Sequence, residues 1–80
     1  MNVLLVDDDR FVIAALQKGI AWESLGFTEV FTAGEINSAK EIINSNKIDL
    51  LLSDIDMPMA QGWIFLAFCV SMGTRFQLYF

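Results

Sequence analysis

Two short apolar runs in this chain each stop at an aspartate, and this arrangement constrains the fold more than any other feature. Val3–Val6 leads into the acidic run Asp7–Asp9, and Leu50–Ser53 leads into Asp54. Continuous apolar runs of this length are typical of parallel strands that are buried on both faces. Because ligands bind beyond the carboxyl ends of the strands in an open parallel sheet, two adjacent strands would deliver these carboxylates to one pocket.

The residues between the two runs predict alternating helices and strands. Apolar residues recur at helical spacing from about Arg10 to Ile20 and from about Glu35 to Asn46, and Asp8 or Asp9 is suited to cap the first helix. The segment Thr28–Thr32 alternates and predicts an edge strand. A β-α-β-α-β order with right-handed crossovers gives an α/β fold with a parallel sheet, in the strand order 2-1-3.

The convergence of carboxylates at one sheet edge suggests a particular chemistry. Three carboxylates that lie close together repel one another, and a bound divalent cation relieves that cost. Hard oxygen ligands favour Mg²⁺, which takes one or two carboxylates, keeps several waters and collects phosphate oxygens as its remaining ligands. The residues therefore suggest phosphoryl transfer onto an aspartate.

Composition narrows the range of partners. Eighty residues allow one small domain, and a net charge of −5 without a basic cluster argues against nucleic-acid binding by this segment. Met1 and Asn2 lead directly into a strand without the positive charges of a secretory signal. The apolar stretch from Trp63 to Met72 is too short to cross a bilayer. We therefore expect a cytoplasmic protein that binds neither nucleic acid nor a membrane.

Two motifs carry a family resemblance. The run Val6-Asp7-Asp8-Asp9-Arg10, followed by Asp54-Ile55-Asp56-Met57-Pro58 and then Gly62, resembles the receiver domain of two-component response regulators. The resemblance extends from Val3 to Gly62, and the Trp22–Phe27 segment is similar to receivers that are fused to AraC-type DNA-binding domains. It implies a flavodoxin-like, doubly wound parallel sheet, of which this chain covers about three of the five β/α units.

The resemblance also implies roles for individual residues in a phosphorelay. Asp54 would accept a phosphoryl group from a phosphohistidine on a sensor histidine kinase. Mg²⁺ would be held directly by Asp8 and Asp54, through water by Asp7, and by the backbone carbonyl of Asp56. Asp9 is assigned to the helix cap instead. The chain would thus be a phosphoacceptor rather than an enzyme, with the kinase as its partner, and a homodimer is also compatible with the family.

The residues after Gly62 depart from the family pattern. We divide the chain into the N-terminal part of a receiver at residues 1–62 and a divergent apolar tail at residues 63–80, in which Trp63–Ser71 suggests a helix and Phe76–Phe80 a strand. A frameshift would explain the tail, since a shifted reading of its codons can encode an amphipathic helix and a Pro-x-Ile-Phe strand. Without the hydroxyl and lysine of later receiver strands, we expect a poor phosphoacceptor with an exposed apolar edge at the third strand.

Two alternative functions remain open from the residues alone. The run Leu50–Ser53 followed by Asp54 and Asp56 also fits haloacid-dehalogenase-like Mg²⁺-dependent phosphatases, in which one aspartate is the nucleophile and the other an acid/base. That interpretation leaves Asp7 and Asp8 unexplained. The other alternative is a receiver fragment without activity.

Overall fold

The computed structural model of the chain describes residues 1–54 and 73–79, with side chains for residues 1–53 and 73–75. Strands and helices alternate from the first strand to the third, with one short 3₁₀ helix, Glu23–Leu25, before the second strand. The strands and helices are β1 (Asn2–Val6), α1 (Arg10–Gly19), β2 (Glu29–Ala33), α2 (Ile36–Ser45), β3 (Leu50–Asp54) and β4 (Arg75–Tyr79). In the described residues, no helix has the length and apolar character that a membrane crossing requires.

The strands form one parallel sheet in the order β2-β1-β3-β4. Val3 of β1 pairs with Val30 of β2 on one side and with Leu50 of β3 on the other. The predicted α/β class and the strand order 2-1-3 are confirmed. The predicted edge strand at Thr28–Thr32 is shifted by one residue, and β2 does lie at the edge of the sheet.

Strand β4 corrects one expectation about the sheet. It pairs with β3 residue for residue, from Leu50 opposite Arg75 to Asp54 opposite Tyr79. The expectation that β3 would form an exposed edge is therefore wrong, because β3 has a neighbouring strand on each side. The predicted strand at Phe76–Phe80 is confirmed to within one residue, whereas the predicted helix at Trp63–Ser71 and the boundary after Gly62 lie outside the described residues.

Helix α2 closes the larger of two apolar clusters. Alternate residues of the central strands, among them Leu4, Val6 and Leu51, are fully buried on this face. Ala39 and Ile43 lie one helical turn apart on α2 and pack against them. Continuous apolar strands need cover on both faces, and α2 supplies this cover on one of them.

The opposite face of the sheet is covered differently. Helix α1 contributes no fully buried residue there, and its Leu16 is only half-buried against Val3 and Leu5. Trp22 completes the cluster, with its ring edge-on to Phe27 at a centroid distance of 5.7 Å. Its indole Nε1–H also donates to the Leu16 carbonyl at 3.1 Å. Trp22 thus ties the end of α1 to this face of the sheet.

A set of hydrogen bonds fixes the amino-terminal end of the sheet. The Asn2 N–H donates to Asp49 Oδ2 at 2.8 Å, and the Asp49 N–H donates back to the Asn2 carbonyl at 3.0 Å. The buried Thr74 hydroxyl donates to the Ile48 carbonyl at 3.0 Å. These bonds join the first residue of β1 to the residue before β3, and the residue before β4 to the segment before β3. They therefore help to set the register of the three strands.

We expect Thr74→Val to lower the free energy of unfolding by about 1 kcal/mol, because the side chain keeps its shape and loses the donor to Ile48. Thr74→Ser is the matched control, since it keeps the hydroxyl. Urea denaturation followed by Trp fluorescence measures both variants. Equal stability of Thr74→Val and Thr74→Ser would show that this hydrogen bond does not support the junction.

Candidate functional site

The carboxyl ends of β1 and β3 bring two of the predicted site residues together. Val6 pairs with Ser53 in the register of these strands. Asp7 follows Val6, and Asp54 follows Ser53 as the last residue of β3. Adjacent strands lie about 4.8 Å apart, so the backbones of Asp7 and Asp54 leave the sheet side by side. The side chain of Asp54 and all of Asp56 lie outside the described residues.

Among the described side chains of this edge, Asp7 is the buried carboxylate, with only 3% of its surface exposed. Its N–H donates to the Ala33 carbonyl at 3.1 Å, which extends the pairing with β2 one residue beyond the end of β1. Its Oδ1 accepts the Asp9 N–H at 2.9 Å. The backbone and the carboxylate of Asp7 are therefore each fixed by a separate hydrogen bond.

Asp9 begins helix α1 as its N-cap. Its backbone is extended, with φ −93° and ψ 109°, and its Oδ1 accepts the Phe11 N–H at 2.9 Å. The Asp9 carbonyl accepts the Ile13 N–H at 3.2 Å, which is the first hydrogen bond of the helix. The assignment of Asp9 rather than Asp8 as the cap is confirmed. Asp8 is exposed and lies between two residues that are both hydrogen-bonded.

A cavity of about 320 Å³ opens beside the aspartates, between α1 and the end of β2. Asp7, Asp8 and Arg10 supply its charged lining, and Thr32 and Gln17 add polar groups. Arg10 was not given a role by the sequence analysis. Its position in the sequence could have indicated a role. A cation in the first turn of a helix interacts unfavourably with the helix dipole, and nearby carboxylates can offset that cost.

The other cations of the chain lie elsewhere. Lys18 is in the last turn of α1, Lys40 is on α2, and Lys47 precedes β3. Arg75 begins β4 at the opposite end of the sheet. Among the residues that the structure describes, Arg10 is thus the cation that shares a cavity with Asp7 and Asp8.

The donor chemistry at this edge fits a hard divalent cation. Within the described part of the chain, no group of three or more acidic, histidine or cysteine residues is placed to hold a metal ion. Asp7 and Asp8 nevertheless provide two carboxylates, one buried and one exposed, and β3 ends with Asp54 on the neighbouring strand. Mg²⁺ needs only one or two carboxylates and completes its shell with water, so this set is sufficient.

A family model described as the response regulator receiver domain matches residues 3–70 of the chain. An uncharacterized response regulatory protein of Staphylococcus epidermidis is 33% identical over 61 residues, which are 76% of this chain and 24% of that relative. The transcriptional regulatory protein HptR of Staphylococcus aureus is 30% identical with the same coverage. The chain therefore spans about a quarter of the length of the curated relatives that it matches.

Solved structures show the same fold. The MaeR response regulator bound to beryllium trifluoride superimposes with a TM-score of 0.80 at 27% identity, over 99% of this chain and 66% of that one. The BeF3-activated conformation of SdrG from Pseudomonas melonis Fr1 gives a TM-score of 0.77 at 18% identity, over 96% of this chain and 64% of that one. With these matches, the haloacid-dehalogenase-like alternative loses its support.

We expect Asp7→Ala to be less stable than Asp7→Asn by about 1 kcal/mol, because the alanine leaves the Asp9 N–H without its acceptor. Both variants remove the same charge, so the difference between them reports the hydrogen bond. Thermal unfolding without metal, followed by circular dichroism, provides the measurement. If the two variants melted together, the Asp7–Asp9 hydrogen bond would have no role in stability.

Proposed function

The chain belongs to the response regulator receiver domain family, and we propose that Asp54 is its phosphoacceptor. The observation that carries this proposal is the register of Val6 with Ser53, which brings the end of β3 next to the Asp7–Asp9 edge. In the sequence, Asp54 also begins the Asp-x-x-Met-Pro pattern that resembles the acceptor motif of receivers. The proposed donor is a phosphohistidine on a sensor histidine kinase.

The proposed reaction is a displacement at phosphorus. A carboxylate oxygen of Asp54 forms a bond to the phosphorus atom as the P–N bond to the kinase histidine breaks, and the imidazole leaves. The chain keeps the phosphoryl group, so we class it as a phosphoacceptor rather than an enzyme. The bound state of MaeR supports this chemistry, because beryllium trifluoride resembles a phosphoryl group in shape and charge.

The proposed metal is Mg²⁺, which when bound would neutralise charge on the phosphoryl oxygens. We assign Asp8 and Asp54 as direct ligands, Asp7 as a ligand through water, and the Asp56 carbonyl as a backbone ligand. The burial of Asp7 and the exposure of Asp8 support this division, because a buried and fixed carboxylate can orient a water while an exposed one reaches the ion.

The distribution of cations suggests that this chain accepts phosphoryl groups slowly. Preorganised positive charge at a transferring phosphoryl group commonly contributes orders of magnitude in rate. The three lysines of the chain lie in α1, in α2 and before β3, away from the carboxyl ends of the strands. Among the described residues, Arg10 is the cation that shares a cavity with Asp7 and Asp8, and this cavity lies on the β2 side of the aspartates.

We place the proposed exchange in the cytoplasm, with the sensor kinase as the partner. The net charge of −5 supports a protein partner over a nucleic acid or an anionic lipid surface. A homodimer is the second assembly that we propose to test, by sedimentation of the chain with and without beryllium trifluoride.

We expect Mg²⁺ to bind weakly and Asp8→Ala to weaken its affinity by about tenfold or more, because the variant loses a direct ligand. Glu41→Ala is the control, since it removes one negative charge from an exposed position of α2 that does not line the cavity beside Asp7 and Asp8. NMR titration of the backbone amides with MgCl₂ gives both dissociation constants. If Asp8→Ala bound Mg²⁺ as tightly as Glu41→Ala, the assignment of Asp8 would be wrong.

Incubation with acetyl phosphate and Mg²⁺, followed by intact-mass measurement, tests Asp54 directly. We expect slow and incomplete addition of one phosphoryl group that requires Mg²⁺ and is abolished by Asp54→Asn. Addition that persists in Asp54→Asn would disprove the acceptor assignment. A complete absence of addition would favour the inactive fragment, and rapid, complete addition would show that the cation distribution does not limit the reaction.

A further inference from the structure

We propose that Asp9 is a positioning residue for the cation site, although it is not itself a ligand. The inference rests on the proposed function, because it concerns how the chain holds Asp7 and Asp8 toward Mg²⁺. It adds a role for a third aspartate that the sequence treats only as a helix cap. Asp9 would act through two of its hydrogen bonds, one made by its backbone N–H and one by its side chain.

Asp9 connects the carboxylate of Asp7 to the first turn of α1. Its N–H donates to Asp7 Oδ1 at 2.9 Å, and its own Oδ1 accepts the Phe11 N–H at 2.9 Å. Its carbonyl accepts the Ile13 N–H at 3.2 Å. The end of β1 and the start of α1 are therefore joined through one residue, and any shift of Asp9 moves the groups on both sides of it.

Asp8 is the residue whose position depends on this connection. It is exposed, and it lies between two hydrogen-bonded residues. Asp7 is hydrogen-bonded to Ala33, and Asp9 is hydrogen-bonded to the first turn of α1. Fixing a flexible residue at the moment of binding costs conformational entropy. Because the structure fixes the neighbours of Asp8 in advance, the exposed carboxylate loses less freedom when it meets a cation.

The same geometry commits one oxygen of Asp9 to the helix cap. Its Oδ1 faces the Phe11 N–H in the helix, where a carboxylate also interacts favourably with the positive end of the helix dipole. A ligand role would fall to the second oxygen, Oδ2, and would depend on the charge of the carboxylate. The cap and the ligand roles therefore predict different results for substitutions that keep the acceptor and remove the charge.

The experiment compares two neutral variants of the full chain, Asp9→Asn and Asp9→Ala. Both remove the same charge, and asparagine keeps a cap acceptor while alanine does not. We expect Asp9→Ala to bind Mg²⁺ about fivefold more weakly than Asp9→Asn. A fivefold change in the dissociation constant corresponds to the free energy that is typically lost with a helix cap. Titration with MgCl₂, followed through the backbone amide signals of Asp8 and Arg10, gives the dissociation constants.

A second control separates positioning from general loss of helix stability. Ala15→Gly lies in the exposed middle of α1, has no part in the cation site, and should lower the unfolding temperature about as much as loss of a cap. We expect it to leave the Mg²⁺ affinity unchanged. If Ala15→Gly weakened binding as much as Asp9→Ala, the role of Asp9 would be structural only, and the proposal would be wrong.

The remaining outcomes distinguish this inference from the proposed function. If the parent chain binds Mg²⁺ and the two Asp9 variants bind it equally, only the positioning role of Asp9 is disproved. Equal and large losses in both variants would make Asp9 a ligand through its charge. A parent chain that does not bind Mg²⁺ would disprove the proposed metal site and the positioning role together.

Discussion

The burial of β1 is the constraint on which the rest of the structure depends. Val3, Leu4, Leu5 and Val6 are all fully buried, and alternate residues enter the two apolar clusters on opposite faces of the sheet. A register slip of one residue would exchange the two sets, so the pairing with β2 and β3 is strongly specified. The position of Asp7 follows directly, because it is the next residue on a strand that cannot slide.

The two faces of the sheet hold their helices in different ways. Helix α2 is anchored by buried side chains, whereas α1 is anchored near its two ends by hydrogen bonds. Asp9 caps its first turn, and the Trp22 indole donates to the Leu16 carbonyl near its last turn. A helix with little buried surface gains most of its stability from such end contacts, since short isolated helices are marginal in water. The proposed site lies at the start of α1. The order of the site therefore depends on few interactions.

Periodicity explains how much of this fold could be predicted from the sequence. The apolar runs and helical spacing predicted β1, β2, β3, α1 and α2 to within one or two residues at each end, because each has a repeating pattern. The 3₁₀ helix at Glu23–Leu25 was missed, since three residues are too few to show a period, and it ends at Gly26 with φ +92°. A strand was predicted at Phe76–Phe80, but its pairing with β3 was not foreseen, because the residues after Gly62 depart from the family pattern on which the strand order rested. The assignment of Asp9 rather than Asp8 as the cap was correct, since the Asp9 side chain accepts the Phe11 N–H.

Adjacent aspartates at the end of a strand can take opposite roles because the chain changes direction there. Asp7 still belongs to the buried geometry of β1, and its carboxylate turns inward to meet the Asp9 N–H. Asp8 is already outside the sheet and exposed. A cation site built only from buried carboxylates would carry a large desolvation cost, and one built only from exposed carboxylates would be poorly ordered. One residue of each kind, followed by a cap that fixes both, reduces the two costs at once. The order of residues in Asp7-Asp8-Asp9 is therefore as important to the proposed site as their charge.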